Sequence, residues 1–204
     1  MIQLYSWGTP NGYKPLIMLE EAELVYELIP VPLNGQQHEP AYTRINPNGK
    51  IPAIIDLNGP DDEEIVIFES GAILLYLAEK SGKFLPLGSS FRYEVIQWVM
   101  FQMAGIGPMF GQYFHFKNAA PEKIPYALER YHKEVRRLYA VLEHRLGESE
   151  YLAGAYSIAD MASFPWVKDP EKFEIDLANF PNVARWLQAV GQRDAVRKAL
   201  AITF

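Results

Sequence analysis

Two short stretches of this sequence carry groups suited to holding a small anionic peptide. Lys50-Ile51-Pro52-Ala53-Ile54 reads as a bend into a buried strand, because a β-branched residue before proline is held extended. A cis Ile51–Pro52 bond would turn the backbone N–H and C=O of Ile51 outward, where an extended peptide can pair with them as a neighbouring strand would. Phe68-Glu69-Ser70-Gly71-Ala72-Ile73 places a carboxylate and a hydroxyl at the start of a helix, where free backbone N–H groups attract an anion. A peptide-pairing edge beside an anion-binding helix start fits a ligand with a peptide bond and a free carboxylate.

The surrounding pattern must position these groups. Ile2–Ser6 is an apolar run suited to a first strand. Gly8-Thr9-Pro10-Asn11-Gly12 is loop chemistry with Asn11 a candidate helix cap, and Leu16, Leu19 and Ala22 mark a helix to about residue 23 with Pro15 in its first turn. Residues 26–31 read as a second strand, 34–40 as a polar loop and 41–45 as a short irregular helix. Ala53–Asp56 and Ile65–Phe68 are two more strands around an acidic, solvated turn. Residues 70–80 then form a helix with Ile73, Leu74 and Leu77 on one face. This β-α-β-α-β-β-α order is thioredoxin-like.

Beyond it the pattern is helical. Ser90 can cap a helix with Ile96, Val99, Met100 and Met103 as its apolar stripe. Ile124, Leu128, Tyr131, Val135, Leu138 and Leu142 recur at helical spacing, with Gly147 a natural stop. Ser157-Ile158-Ala159-Asp160 reads as a capping box, a folding feature rather than a site. Pro181 opens a further helix carrying Val183, Trp186, Leu187 and Val190. Tyr113-Phe114-His115-Phe116 lines either an apolar substrate site or the core. The expected fold is an α/β thioredoxin-like N-terminal domain over residues 1–82, a linker over 83–90, and an all-α helical C-terminal domain over 91–204.

Composition narrows the partners. The chain has 204 residues, 49% of them hydrophobic and 22% charged, as in ordinary globular proteins. A net charge of −6 argues against nucleic acid, which needs a basic field. Cysteine is absent, which excludes disulfides, thiolate metal sites and any protein thiol for redox chemistry. His38, His115, His132 and His144 lack metal-ligand spacing, so no metal is expected. With no signal-peptide pattern and no long apolar run, no membrane association and a cytoplasmic location are the expectation.

Ile51-Pro52-Ala53-Ile54, Glu69-Ser70-Gly71-Ala72-Ile73-Leu74-Leu75-Tyr76-Leu77 and Ser157-Ile158-Ala159-Asp160, in this order, resemble the glutathione transferase family along essentially the whole chain. Thr9-Pro10-Asn11-Gly12 with Lys14 is similar to the bacterial nu class, whose relatives include a fungal nitrogen regulator. The resemblance implies glutathione as bound cosubstrate, a small electrophile or disulfide as second substrate, and a homodimer. Glu69 and Ser70 match the pair that holds the γ-glutamyl end, and Ile51 matches the residue whose main chain pairs with the cysteinyl unit. Gln37 and Lys50 lie where the glycyl end is reached, and Arg130 matches a basic position pointing toward the ligand. Thr9 and Asn11 fall where the family places its thiol-contacting groups.

The chain departs from the branches that use Tyr, Ser or Cys after the first strand; Tyr5 and Ser6 are nearby, but Thr9 and Asn11 are the expected donors to sulfur. The activity so implied is glutathione-dependent disulfide-bond reduction, with weak transferase or peroxidase activity. The alternative is a non-catalytic glutathione-binding regulatory protein.

Overall fold

Four strands form one mixed sheet in the computed structural model, which describes residues 1–204. They are β1 (Ile2–Ser6), β2 (Tyr26–Pro30), β3 (Ala53–Asp56) and β4 (Ile65–Phe68), in the order β2-β1-β3-β4. β1 runs parallel to β2, while β1–β3 and β3–β4 are antiparallel. Alternation along β1 buries Ile2, Leu4 and Ser6. Leu4 and Ile54 share the buried interior with Leu16, Leu19, Ile73 and Leu77 of helices α1 (Pro10–Ala22) and α3 (Ser70–Ser81). Each such side chain contributes about 1.5–3 kcal/mol on burial. A one-residue slip would turn a strand's buried set to the opposite face, so the core fixes the register.

That register matters for function. Tyr5 lies opposite Ala53, and Ala53 opposite Phe68. The chain therefore leaves β1, enters β3 and leaves β4 at one end of the sheet. The loop before α1, the Ile51–Pro52 bend and the Glu69–Ser70 helix start all emerge there.

Local details correct the sequence reading of α1. Thr9, not Asn11, is the cap: its backbone is extended (φ −127°, ψ 161°) and its Oγ1 accepts from Gly12 N at 3.2 Å. Pro10 takes the first helical position, where a missing N–H costs nothing, and Pro15 falls inside the helix instead of its first turn. Pro15 cannot donate the bond that the Asn11 carbonyl would otherwise receive. The irregular helix expected at 41–45 is a single turn, α2 (Pro40–Thr43).

The chain falls into two compact units, Met1–Leu85 with Arg193–Phe204, and Pro86–Gln192. The sequence reading kept 91–204 together, but a last helix, α9 (Asp194–Leu200), clusters with the sheet unit. Ion pairs fasten it to α1: Arg193 grips Glu21 through two bonds of 2.5 and 2.8 Å, and Lys198 meets Glu20 at 2.5 Å.

The helical unit contains α4 (Ser90–Phe101), α5 (Gly107–Asn118), α6 (Pro125–Glu148), α7 (Ile158–Val167) and α8 (Pro181–Gly191). Ser89 rather than Ser90 is the cap residue of α4, and α6 continues through Gly147. A π-helical turn, Gln102–Ile106, joins α4 to α5. The buried face there is Val95, Val99, Gln102 and Ile106, whereas Met100 of the expected stripe is exposed. The capping box forms as expected: Ser157 Oγ accepts from Ala159 N at 3.2 Å, and Asp160 accepts from Ser157 N at 3.0 Å. No helix is long and apolar enough to cross a membrane.

Candidate functional site

The turn between β1 and α1 is tightly wired. Thr9 N donates to Trp7 O at 2.7 Å, and buried Ser6 donates through Oγ to Gly12 O at 3.2 Å. Thr9 Oγ1 is already an acceptor for Gly12 N, so its own hydrogen can be given to a further acceptor. Asn11 is half-buried in the first turn of α1 and carries an amide with two donor hydrogens and an acceptor oxygen. Positive dipole character at this helix start favours an anion nearby. The ring of Phe204, at the end of the chain, packs 5.7 Å from Trp7 and 6.0 Å from Tyr13, centroid to centroid, and so covers this turn.

The segment leading into β3 is held just as firmly. Ile51–Pro52 is cis. Ladder pairing begins at Ala53, which leaves Ile51 just outside it. Lys50 O accepts from Tyr42 Oη at 2.7 Å and from Asn46 Nδ2 at 2.6 Å. Buried Asn46 also accepts from Asn48 N through Oδ1. Burial pushes the Tyr42 hydroxyl up to about 12, so it stays a donor near neutral pH. Gly49 has φ +62°, and a Cβ there would come within 2.7 Å of His38 Nδ1 and 3.1 Å of Gln37 O. Only glycine lets the Gln37 turn lie this close to the Lys50 segment. Gln37 Oε1 accepts from Gly35 N at 3.0 Å and its amide meets His38 Nε2 at 3.2 Å.

At the start of α3, Glu69 has φ 69° and ψ 116°. A non-glycine residue in that region costs about 1–3 kcal/mol, a strain usually kept where a site requires it. Glu69 is exposed and Ser70 is buried. Ser70 occupies the first helical position, and its Oγ accepts from Lys14 Nζ of α1 at 3.2 Å. Lys14 is only 1% exposed. Burial lowers its ammonium to about 7, against a smaller opposing pull from the Glu69 carboxylate.

Thr9, Asn11, Gln37, Lys50, Ile51, Glu69 and Ser70 therefore all belong to the sheet unit, on segments that converge on one end of the sheet. Arg130 belongs to the helical unit. It is exposed on α6 and borders a cavity of about 730 Å³ with Tyr126, Glu129, Lys133 and Arg137. Sequence reasoning missed Lys14, Tyr42 and Asn46 as parts of this architecture. The signal for Asn46 was its place before Pro47-Asn48-Gly49, since asparagine readily bonds backbone groups two residues on. Lys14 stood in the sequence only as part of the motif beginning at Thr9, with no position or contact assigned to it.

The fold is shared with related proteins. Residues 1–79 match the family model for the glutathione S-transferase N-terminal domain, and residues 104–194 match the C-terminal domain model. The chain belongs to the glutathione S-transferase family. It is 51% identical to the disulfide-bond oxidoreductase YfcG of Escherichia coli over 98% of this chain and 94% of that protein. A solved glutathione transferase from Burkholderia graminis, with two glutathione molecules bound per subunit, superposes with a TM-score of 0.93 at 48% identity, covering 98% of this chain and 87% of that one. A Pseudomonas putida glutathione transferase with one glutathione disulfide bound per subunit gives 0.94 at 44% identity, over 98% and 91% of the two chains.

Proposed function

We propose that this protein is a glutathione-dependent disulfide-bond reductase of the nu class, acting in the cytoplasm as a homodimer. The observation that carries this reading is the convergence of three segments on one sheet end: Thr9–Asn11, Ile51 and Glu69–Ser70. The bound ligands and names of the relatives support glutathione as the molecule held there. Exposed Val66 and Phe68 on edge strand β4, and exposed Phe91, Tyr93 and Met100 in the helical unit, are apolar surface suited to a partner copy.

In this reading Glu69 takes the glutathione ammonium, while Ser70 Oγ and N–H take the γ-glutamyl carboxylate. The main chain of Ile51 pairs with the cysteinyl unit, Gln37 and Lys50 reach the glycyl end, and Arg130 is a ligand-facing cation on the residue match alone. Thr9 and Asn11 donate to the sulfur. A free thiol with a pKa of about 8.5 is only a few per cent thiolate at neutral pH, so donors to the anion raise the reactive fraction. The thiolate attacks one sulfur of a disulfide, giving a mixed disulfide and releasing the other half as a thiolate. A second glutathione thiolate then attacks the glutathionyl sulfur, giving glutathione disulfide and freeing the remaining thiolate. Both sulfurs come from ligand, as a chain without cysteine requires.

Two variants test the assignment. Asn11→Ala is expected to lower turnover more than it weakens glutathione binding, because its contact is to the reacting sulfur; equal losses in kcat and in affinity would remove it from that role. Ser70→Ala is expected to weaken glutathione binding by roughly 1–3 kcal/mol, the cost of buried polar partners left unmade. Calorimetric titration reads this directly, and an unchanged Kd would refute the carboxylate site. Turnover with aryl halides but none with disulfides would make the protein a transferase instead. Tight binding with no turnover of either substrate would make it a glutathione-binding regulator.

A further inference from the structure

A trans peptide unit is planar, with its C=O and N–H pointing in opposite directions. Fixing the oxygen therefore aims the hydrogen. The cis bond of this chain is Ile51–Pro52, so the Lys50–Ile51 unit before it is trans. Its oxygen is held twice, by Tyr42 Oη at 2.7 Å and by Asn46 Nδ2 at 2.6 Å. A carbonyl oxygen has two lone pairs, and here there is one donor for each. Both donors are enclosed, Tyr42 being 5% and Asn46 1% exposed. The Lys50 oxygen thus points into the sheet unit and the Ile51 N–H points away from it. No carbonyl of the chain accepts from that N–H, and the strand ladder starts only at Ala53. A folded protein pairs nearly all of its enclosed backbone donors, and this half-buried one is left over for a ligand.

The two donors are themselves fixed. Asn46 N donates to Tyr42 O at 3.0 Å, Gly49 N donates to Asn46 O at 2.9 Å, and Asn46 Oδ1 accepts from Asn48 N at 2.9 Å. Tyr42 packs with Val31 and Ala53 in a small apolar cluster, against which Ile45 and Ile51 also pack. Packing therefore holds Ile51 by its side chain, while the two bonds set the tilt of the peptide unit in front of it.

We propose that Tyr42 and Asn46 are positioning residues for the cysteinyl unit of the ligand: gripping the Lys50 oxygen from the interior, they aim the Ile51 N–H at the cysteinyl carbonyl. This rests on the reading that the main chain of Ile51 pairs with that unit of glutathione. The role needs no contact between either side chain and the ligand. Without the grip, the Lys50–Ile51 unit can turn about the single bonds that flank it. Binding must then order the unit again, and affinity falls by that cost.

The test is calorimetric titration of the full chain with two ligands. One is S-methylglutathione. The other is the same molecule with a carbon–carbon double bond in place of the cysteinyl–glycyl amide, which removes the carbonyl oxygen without adding charge. The wild type should bind the alkene about fivefold or more weakly, as the loss of one hydrogen bond requires. Tyr42→Phe keeps the ring in its cluster and loses only the hydroxyl. It should weaken binding of S-methylglutathione about threefold to tenfold, yet change binding of the alkene less than about twofold. Asn46→Ala, which removes the second donor, should show the same preference.

Equal losses for both ligands in Tyr42→Phe would overturn the proposal, because the residue would then shape the site in general. An unchanged affinity of that variant for S-methylglutathione would overturn it too. Equal binding of the two ligands by the wild type would instead remove the pairing between Ile51 and the cysteinyl carbonyl, on which the proposal stands. Failure of the wild type to bind S-methylglutathione at all would overturn the glutathione reading itself.

Discussion

Gly12→Ala should destabilise the protein by about 3 kcal/mol or more and remove most of its glutathione chemistry. In an ordinary helix this exchange stabilises, by about 1 kcal/mol, because alanine loses less backbone freedom. Here a Cβ would lie 2.0 Å from the carbonyl oxygen of Trp7 and 2.6 Å from Ser6 Oγ. The first of these is backbone, so relief requires moving the turn itself. That turn is closed by Gly12 N donating to Thr9 and by Ser6 donating to Gly12 O. Displacing it shifts Thr9 and Asn11 together. Denaturant unfolding reads the stability, and kcat for disulfide reduction reads the chemistry. A variant as stable as the wild type, or more stable, would mean that the turn is not this close.

The second large effect belongs to Asp160, which is fully buried in the helical unit. Its carboxylate accepts from Leu152 N at 3.0 Å, Ser157 N at 3.0 Å and Trp186 Nε1 at 2.9 Å. One side chain thus ties the turn before α7, the cap of α7 and the side of α8. Asp160→Ala leaves three buried donors without an acceptor. The expected loss is about 3–5 kcal/mol, a large share of the roughly 5–15 kcal/mol that holds a typical protein folded. Thermal unfolding should show a markedly lower midpoint, while kcat per folded molecule stays near the wild-type value because the residue serves folding. An unchanged midpoint would contradict the role given to the network, and a kcat loss in the folded fraction would give Asp160 a part in chemistry.

What the sequence made legible follows from local rules. Ala53–Asp56 and Ile65–Phe68 are short apolar runs bounded by turn residues, and both form as read. Ser157 and Asp160 have the types and spacing that a helix start requires, and the box closes. The start of α3 at Ser70 falls where the sequence placed it, with Glu69 before it. These features depend on residues a few positions apart.

The parts that were not legible depend on distant neighbours. α5 was not recognised as a helix, because Tyr113, Phe114, His115 and Phe116 run together and present no clear period. The π-helical turn at Gln102–Ile106 adds a residue to one turn, so the stripe expected through Met100 and Met103 is not the one that packs. α9 is a short helix whose partners, Glu20 and Glu21, lie far back in the chain. Lys14 is the sharpest case. A lysine in a helix reads as solvent-facing, yet residues 14–19 of α1 are all buried, and only the tertiary fold places its ammonium against Ser70.

In the function proposed, a protein without a thiol of its own reduces disulfides by lending glutathione a site that favours its thiolate. Steady-state reduction of a small dialkyl disulfide by glutathione, with glutathione disulfide quantified as product, tests it most directly. Turnover is expected to be saturable in glutathione, proportional to protein, and stoichiometric, with one glutathione disulfide formed for each dialkyl disulfide consumed. A rate no higher than spontaneous thiol–disulfide exchange at the same pH, under conditions where glutathione binds, would contradict it.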